Sequence, residues 1–139
     1  MHKRIRRTLS VRAFTLVELM IVVVIVAILA LVAIPLYQGN VKSAKFSEGI
    51  SGVGTIRTAM RVYAAGNNGS YPTIAAGTTG DSLSAYGIQA NDLEGKYFAS
   101  TDYTVTSTAA GYTITATLDG DTYTVNQDGT ESGSFTTGQ

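Results

Sequence analysis

Phe14-Thr-Leu-Val-Glu-Leu-Met-Ile-Val-Val-Val-Ile-Val-Ala-Ile-Leu-Ala-Leu-Val-Ala-Ile-Pro-Leu-Tyr37 runs for 24 residues with Glu18 as its single charge. As a helix rising about 1.5 Å per residue it is roughly 36 Å long, enough to cross a bilayer. From Leu19 to Leu36, eighteen residues carry neither a charge nor a polar side chain. An ordinary secretory signal has an apolar core of only about 7–15 residues followed by a small-residue cut. A cut beside Val32-Ala-Ile-Pro35 would discard the best-organised part of the chain, so a retained membrane helix is the expectation.

Upstream lies a basic stretch, Met1–Ala13, holding Lys3, Arg4, Arg6, Arg7 and Arg12. Cytoplasmic excess of Lys and Arg orients membrane helices, which places the N-terminus in the cytoplasm. The formal charge of zero over 139 residues is a sum of unlike parts: without residues 1–13 the balance is five basic against ten acidic, or −5. A body of that sign is a poor general nucleic-acid binder, and no specific nucleic-acid partner is expected. The absence of Cys excludes disulfides and thiolate chemistry.

Glu18 is the anomaly. A carboxylate within hydrocarbon costs on the order of 3 kcal/mol or more and calls for a partner. No Lys or Arg between Leu19 and Val41 supplies one. At headgroup depth near the helix start, the helix dipole would favour the anion instead. Energetics alone leaves both readings open.

Beyond the apolar run, Phe46, Ile50, Val53, Ile56, Met60 and Tyr63 form the stripe of an amphipathic helix, with Lys42, Lys45, Glu48, Arg57 and Arg61 mostly off it. The helix therefore continues past the membrane and buries one face on a soluble domain. Pro35 removes an intrahelical hydrogen bond, which predicts a bend near Pro35 to Gly39. Gly49, Gly52 and Gly54 predict either fraying at 49–54 or close-packing points between neighbouring helices. Gly66-Asn-Asn-Gly-Ser-Tyr-Pro72 stops the helix. Asp81 and Asn91-Asp-Leu-Glu94 read as caps of short helices, the second as a capping box.

Alternation at period two predicts strands over 102–107, 111–118 and 121–126. Tyr103, Val105, Tyr112, Ile114, Ala116, Leu118, Tyr123 and Val125 would face the helix and leave a Thr-rich outer face. Leu118-Asp-Gly-Asp121 and Gln127-Asp-Gly-Thr130 are hairpin turn signals. The expected fold is α+β: one long N-terminal helix, half membrane-spanning and half amphipathic, packed on a small antiparallel meander. Its expected divisions are a cleaved leader 1–13, a membrane or filament-core helix 14–37, an amphipathic continuation 38–65, a loop with short helices 66–100, and a sheet with a C-terminal tail 101–139.

Arg12-Ala-Phe-Thr-Leu-Val-Glu-Leu-Met20, with the apolar run ending at Pro35, resembles the leader and first helix of type IV pilins and type II secretion pseudopilins. The shared spacing is a basic leader, a bulky apolar first mature residue, Glu at the fifth mature position and Pro at the twenty-second, met here by Phe14, Glu18 and Pro35. Tyr63 with Gly69-Ser-Tyr-Pro-Thr73 adds a looser likeness. The resemblance implies cleavage between Ala13 and Phe14 by a membrane prepilin peptidase, which also methylates the new N-terminus of Phe14. Ala13 stands where the family usually has Gly. It further implies that Glu18 of one subunit pairs with the Phe14 amine of the next, and that Pro35 and Gly39 mark a helix kink.

The implied partners are identical or homologous pilin subunits, the prepilin peptidase/methyltransferase, an assembly platform protein with its cytoplasmic ATPase, and inner-membrane lipid before assembly. The implied location is the inner membrane, single-pass with a cytoplasmic N-terminus, and then an extracellular pilus. The alternative is a periplasmic pseudopilus for protein secretion. Against it, the chain has no Trp and no Pro after Pro72, where major pseudopilins carry an Asp-Pro-Trp-Gly-type segment. A membrane-anchored binding module is a third reading, but it would need neither Glu18 nor the Phe14 junction.

Catalysis is not expected: the single His lies in the leader, and no phosphate-cradling Gly-Lys-Ser/Thr motif is present. Asp119, Asp121 and Asp128 fall in turns and match no EF-hand spacing, so neither a metal nor another cofactor is expected. Electron conduction through the eight Tyr and four Phe, Tyr37 and Tyr63 among them, is not expected, because most of these aromatics are claimed by core stripes or strand faces.

Overall fold

The computed structural model describes residues 14–135; the leader, with Ala13, and the last four residues lie outside the described residues. The chain divides into two compact units, Met1–Asn40 and Val41–Gln139. A single helix, α1 (Leu16–Gly66), supplies elements to both. It is followed by strands β1 (Ile74–Thr79), β2 (Tyr103–Thr108), β3 (Gly111–Leu118), β4 (Asp121–Asn126) and β5 (Glu131–Ser132). The strands form one antiparallel sheet in the order β1-β2-β3-β4-β5, so the α+β pilin-like architecture holds.

Within the second unit, α1 buries Phe46, Gly49, Gly52, Val53, Ile56, Met60 and Ala64. Ile50 and Tyr63, expected at the centre of the stripe, are only partly buried. The two glycines take the central contacts instead. A Cβ at Gly49 would stand 2.5 Å from Phe98 Cζ, and one at Gly52 would stand 2.3 Å from the Tyr103 hydroxyl oxygen. The bare backbone thus admits two aromatic rings, and the helix is unbroken over 49–54 where fraying was one expectation. These two glycines serve packing within one chain. Gly54 faces open space.

From the sheet, Tyr103, Val105, Tyr112, Ile114, Ala116, Tyr123 and Val125 are buried, while Leu118 is partly buried at the hairpin end. The hairpin turn sets both Asp119 (φ 52°) and Gly120 (φ 87°) in the left-handed region, as a two-residue turn of the primed type requires. Its acidic residues also reach α1: Asp121 pairs with Lys42 at 2.7 Å and Asp119 with Lys45 at 3.2 Å. Phe135 returns to the helix and stacks on Phe46 with centroids 4.4 Å apart.

The segment between helix and sheet departs most from expectation. It contributes β1, which pairs with β2 through a register shift between Ile74 and Thr78, with Gly77 at φ 77°. Asp81 lies inside a 3-10 turn, Gly80–Ser82, and accepts the Thr79 hydroxyl instead of capping a helix from outside. Asn91 likewise lies within a turn, Ala90–Asp92, closed by Asp92 accepting the Gln89 N–H at 2.9 Å. Glu94 makes no capping box. It accepts the backbone N–H and the hydroxyl of Ser100, at 3.0 and 2.9 Å.

Glu48, one turn before Gly52, fixes the next loop. Its Oε1 accepts the N–H groups of Tyr97 (2.8 Å) and Phe98 (2.7 Å), and its Oε2 accepts that of Lys96 (3.1 Å). Partial desolvation pushes its pKa up, but the Tyr97, Phe98 and Lys96 N–H groups outweigh that and hold it below the ordinary carboxylate value. The clamp orients the loop so that Phe98 enters the core over Gly49.

Candidate processing and assembly site

The first unit begins at its own helix start. Thr15 precedes α1, and its carbonyl accepts the first helical bond, from Leu19 N–H at 3.2 Å. That makes Thr15 the N-cap and Glu18 the third helical residue. The two side chains then satisfy each other's backbone. Glu18 N–H donates to Thr15 Oγ1 at 3.2 Å, and Thr15 N–H donates to Glu18 Oε2 at 2.9 Å. The Thr15 hydroxyl also donates to Oε2 at 2.9 Å. This is a reciprocal capping box, of the Thr-x-x-Glu type.

The sequence reading missed this pair, although the signal, Thr15-Leu-Val-Glu18, was present in the letters. The partner that the described residues supply to Glu18 is not a cation but a hydroxyl and an amide. Both contacts land on Oε2, so among the described residues Oε1 has no donor. Phe14, one residue before the cap, is 82% exposed. The structure brings Glu18 to Thr15. Ala13, the other side of the expected junction, lies outside the described residues.

Downstream, the unit presents apolar surface throughout. An 18-residue window of α1 has a mean hydropathy of 3.3 and is 0% buried. Pro35 lies inside α1 and offers no N–H to the preceding turn. Gly39 also falls within the continuous helix, with no atom within 4 Å of a Cβ built there. The helix thus combines a capped, acid-bearing start with an apolar shaft that the described residues leave uncovered. Chemically, such a segment is suited to lipid or to packing against its own kind, and Glu18 offers one carboxylate oxygen to an incoming donor.

The family model for the prokaryotic N-terminal methylation motif matches residues 9–34. A fimbrial protein of Neisseria meningitidis serogroup A is 36% identical over 102 residues, covering 71% of this chain and 55% of that relative. The type IV major fimbrial protein FimA of Dichelobacter nodosus is 35% identical over 97 residues, covering 70% of this chain and 56% of the relative. The type II secretion system core protein G of Pectobacterium carotovorum is 35% identical over 66 residues, 48% of this chain and 42% of the relative. The chain spans about half the length of the curated relatives it matches. No solved structure gives a significant match.

Proposed function

For a chain that carries the prokaryotic N-terminal methylation motif and is related to type IV fimbrial proteins and to type II secretion protein G, we propose the role of a pilin, a structural subunit of a type IV-like pilus. The observation that carries this reading is the coincidence of the motif, residues 9–34, with a helix that starts at a capped Glu18 and continues as an uncovered apolar shaft. A prepilin peptidase cuts between Ala13 and Phe14, and Phe14 is N-methylated. Before the cut the basic leader holds the subunit in the inner membrane. Afterwards the chain is free to leave lipid and polymerise through α1.

In that polymer the Phe14 amine of one copy meets Glu18 of another. The pair is strong because a charge left unmatched in an apolar core is costly. Glu18 approaches that encounter already held by Thr15, so the amine adds to a fixed carboxylate. Pro35 and Gly39 form the proposed kink, and an assembly platform with a cytoplasmic ATPase supplies the extraction. The role is structural, and no catalytic group is assigned.

The second reading, a secretion pseudopilin in a periplasmic pseudopilus, is favoured by one observation, the likeness to protein G. One measurement tests the processing step and a second separates the two readings. N-terminal analysis of assembled material should give N-methyl-Phe14; retained Met1 would overturn the processing step. Immunogold imaging through residues 132–139 should label surface filaments. Absence of filaments, together with a secretion defect on deletion, would favour the pseudopilus.

A further inference from the structure

We propose that Asn68 is an acceptor for an N-linked glycan. Asn68-Gly-Ser70 is the one Asn-x-Ser/Thr triplet in the chain, and its middle residue is not Pro. It lies where α1 ends, with Asn67, Asn68 and Gly69 all exposed. Apart from its two chain neighbours, no heavy atom lies within 4 Å of where a Cβ on Gly69 would sit, so the middle of the triplet is open, while Ser70 is partly buried.

The local bonds separate what the helix stop requires from what it does not. Gly69 N–H donates to Ala64 O at 2.8 Å, and Ser70 N–H donates to Asn67 O at 3.0 Å. The Asn67 side chain donates to Tyr63 O at 2.8 Å. Backbone groups and Asn67 therefore complete the stop. Asn68 (φ 53°) and Gly69 (φ 83°) supply the left-handed turn, and glycine would serve at position 68 with less strain. Among the described residues neither the Asn68 amide nor the Ser70 hydroxyl has a hydrogen-bond partner. Two polar side chains two residues apart are thus left for an external reader, and the acceptor triplet is defined by that pair.

The donor class is a glycan linked to a polyprenyl phosphate or diphosphate. Asn68 Nδ2 bonds to the anomeric carbon as the carbon–oxygen bond to the phosphate breaks. The phosphate departs with that electron pair, and the amide releases one proton to a base of the transferase. Within the second unit the triplet lies at the end of α1 away from Phe46, since residues 46 to 66 span about 30 Å at about 1.5 Å per residue.

The inference rests on export of residues 41–139, as the pilus reading supplies. The test is mass spectrometry of the full chain from cells that produce it, reading the tryptic peptide Val62–Lys96 and the N-terminus in one sample. The expected result is a glycan mass on Asn68, lost in Asn68→Gln and in Ser70→Ala and retained in Ser70→Thr. An unmodified peptide in chains bearing N-methyl-Phe14 would overturn the glycan and leave the pilus reading standing. A glycan that persists in Asn68→Gln sits on a hydroxyl and also overturns it. A glycan on Asn68 in chains that retain Met1 would support this site while removing the processing step.

Discussion

Gly52→Ala and Gly54→Ala should shift stability in opposite directions although they lie two residues apart on one helix. Each gains roughly 0.8–1 kcal/mol of helix propensity. At Gly54 nothing stands within 4 Å of the new methyl, so the whole gain is retained. For a unit of this size that is a rise in Tm of about 4–8 °C. At Gly52 the methyl would meet Tyr103 at 2.3 Å (Oη), 2.4 Å (Cζ) and 2.6 Å (Cε1). Ordinary carbon contacts lie at about 3.5–4.0 Å, so the ring must retreat by about 1 Å or more. Tyr103 is 1% exposed and packs on Phe98 at 5.6 Å, which leaves little room for that. Overpacking of this kind costs about 1–3 kcal/mol. Because the propensity gain cancels between the variants, they should differ by that amount, at least about 4 °C in Tm. Thermal melts of the full chain in detergent, followed by near-ultraviolet circular dichroism, read the difference. Equal Tm shifts for the two variants would refute the seating of the Tyr103 ring on bare helix backbone.

Glu48, held below its ordinary pKa of 4.5, contributes stability that is complete above that value and is lost as pH falls through the depressed pKa. Glu48→Gln should therefore be less stable at neutral pH and lose less on acidification, and parallel urea-unfolding curves against pH would contradict the clamp. Burial, reinforced by nearby Glu48, Asp102 and Glu94, pushes the Tyr103 hydroxyl up to about 12. Burial and the bond to Glu131 do the same for Tyr123. The unfolded chain gives up these protons from its ordinary value of 10.0 upward while the folded chain keeps them, so stability should fall between pH 10 and about 12. Tyr103→Phe and Tyr123→Phe should each flatten that fall and remove a late-titrating phenolate from the absorbance curve. Thr15→Val removes a cap worth about 0.5–2 kcal/mol, so hydrogen exchange at Glu18 and Leu19 should accelerate in Thr15→Val and stay near wild type in Thr15→Ser. Glu18→Ala should insert into membranes normally and give fewer filaments; an undiminished filament yield would count against its pairing with Phe14.

The long helix and strands β2 to β4 were legible because hydrophobic periodicity states them directly: Tyr-Thr-Val-Thr and Tyr-Thr-Ile-Thr-Ala-Thr alternate without interruption. β1, Ile-Ala-Ala-Gly-Thr-Thr, was not, because small residues and a glycine with positive φ hide the alternation. Pairing with β2, a tertiary effect, makes it a strand. The Glu48 clamp joins residues 48 to 50 positions apart, beyond any local pattern. Gly49 and Gly52 read as helix weak points, whereas their meaning depends on which rings arrive from the sheet. At the candidate site, Phe14 and Glu18 stand out by charge and spacing, while Thr15 does not, because a hydroxyl cap carries no charge to mark it in an otherwise apolar run.

The sheet's two outer strands have a consequence for crowding. A polymer of this chain would hold many identical sheets close together, and a continuous free strand on each would act as a template for its neighbour. Here one margin is broken by the register shift around Gly77, and the other ends in the two-residue stub Glu131–Ser132. Neither offers a straight run of unpaired amides long enough to recruit another copy. Association by strand addition, the route to cross-β fibres, is thereby disfavoured. In such a polymer growth would fall to the apolar helices, and copies could stack at high density while each keeps its own fold.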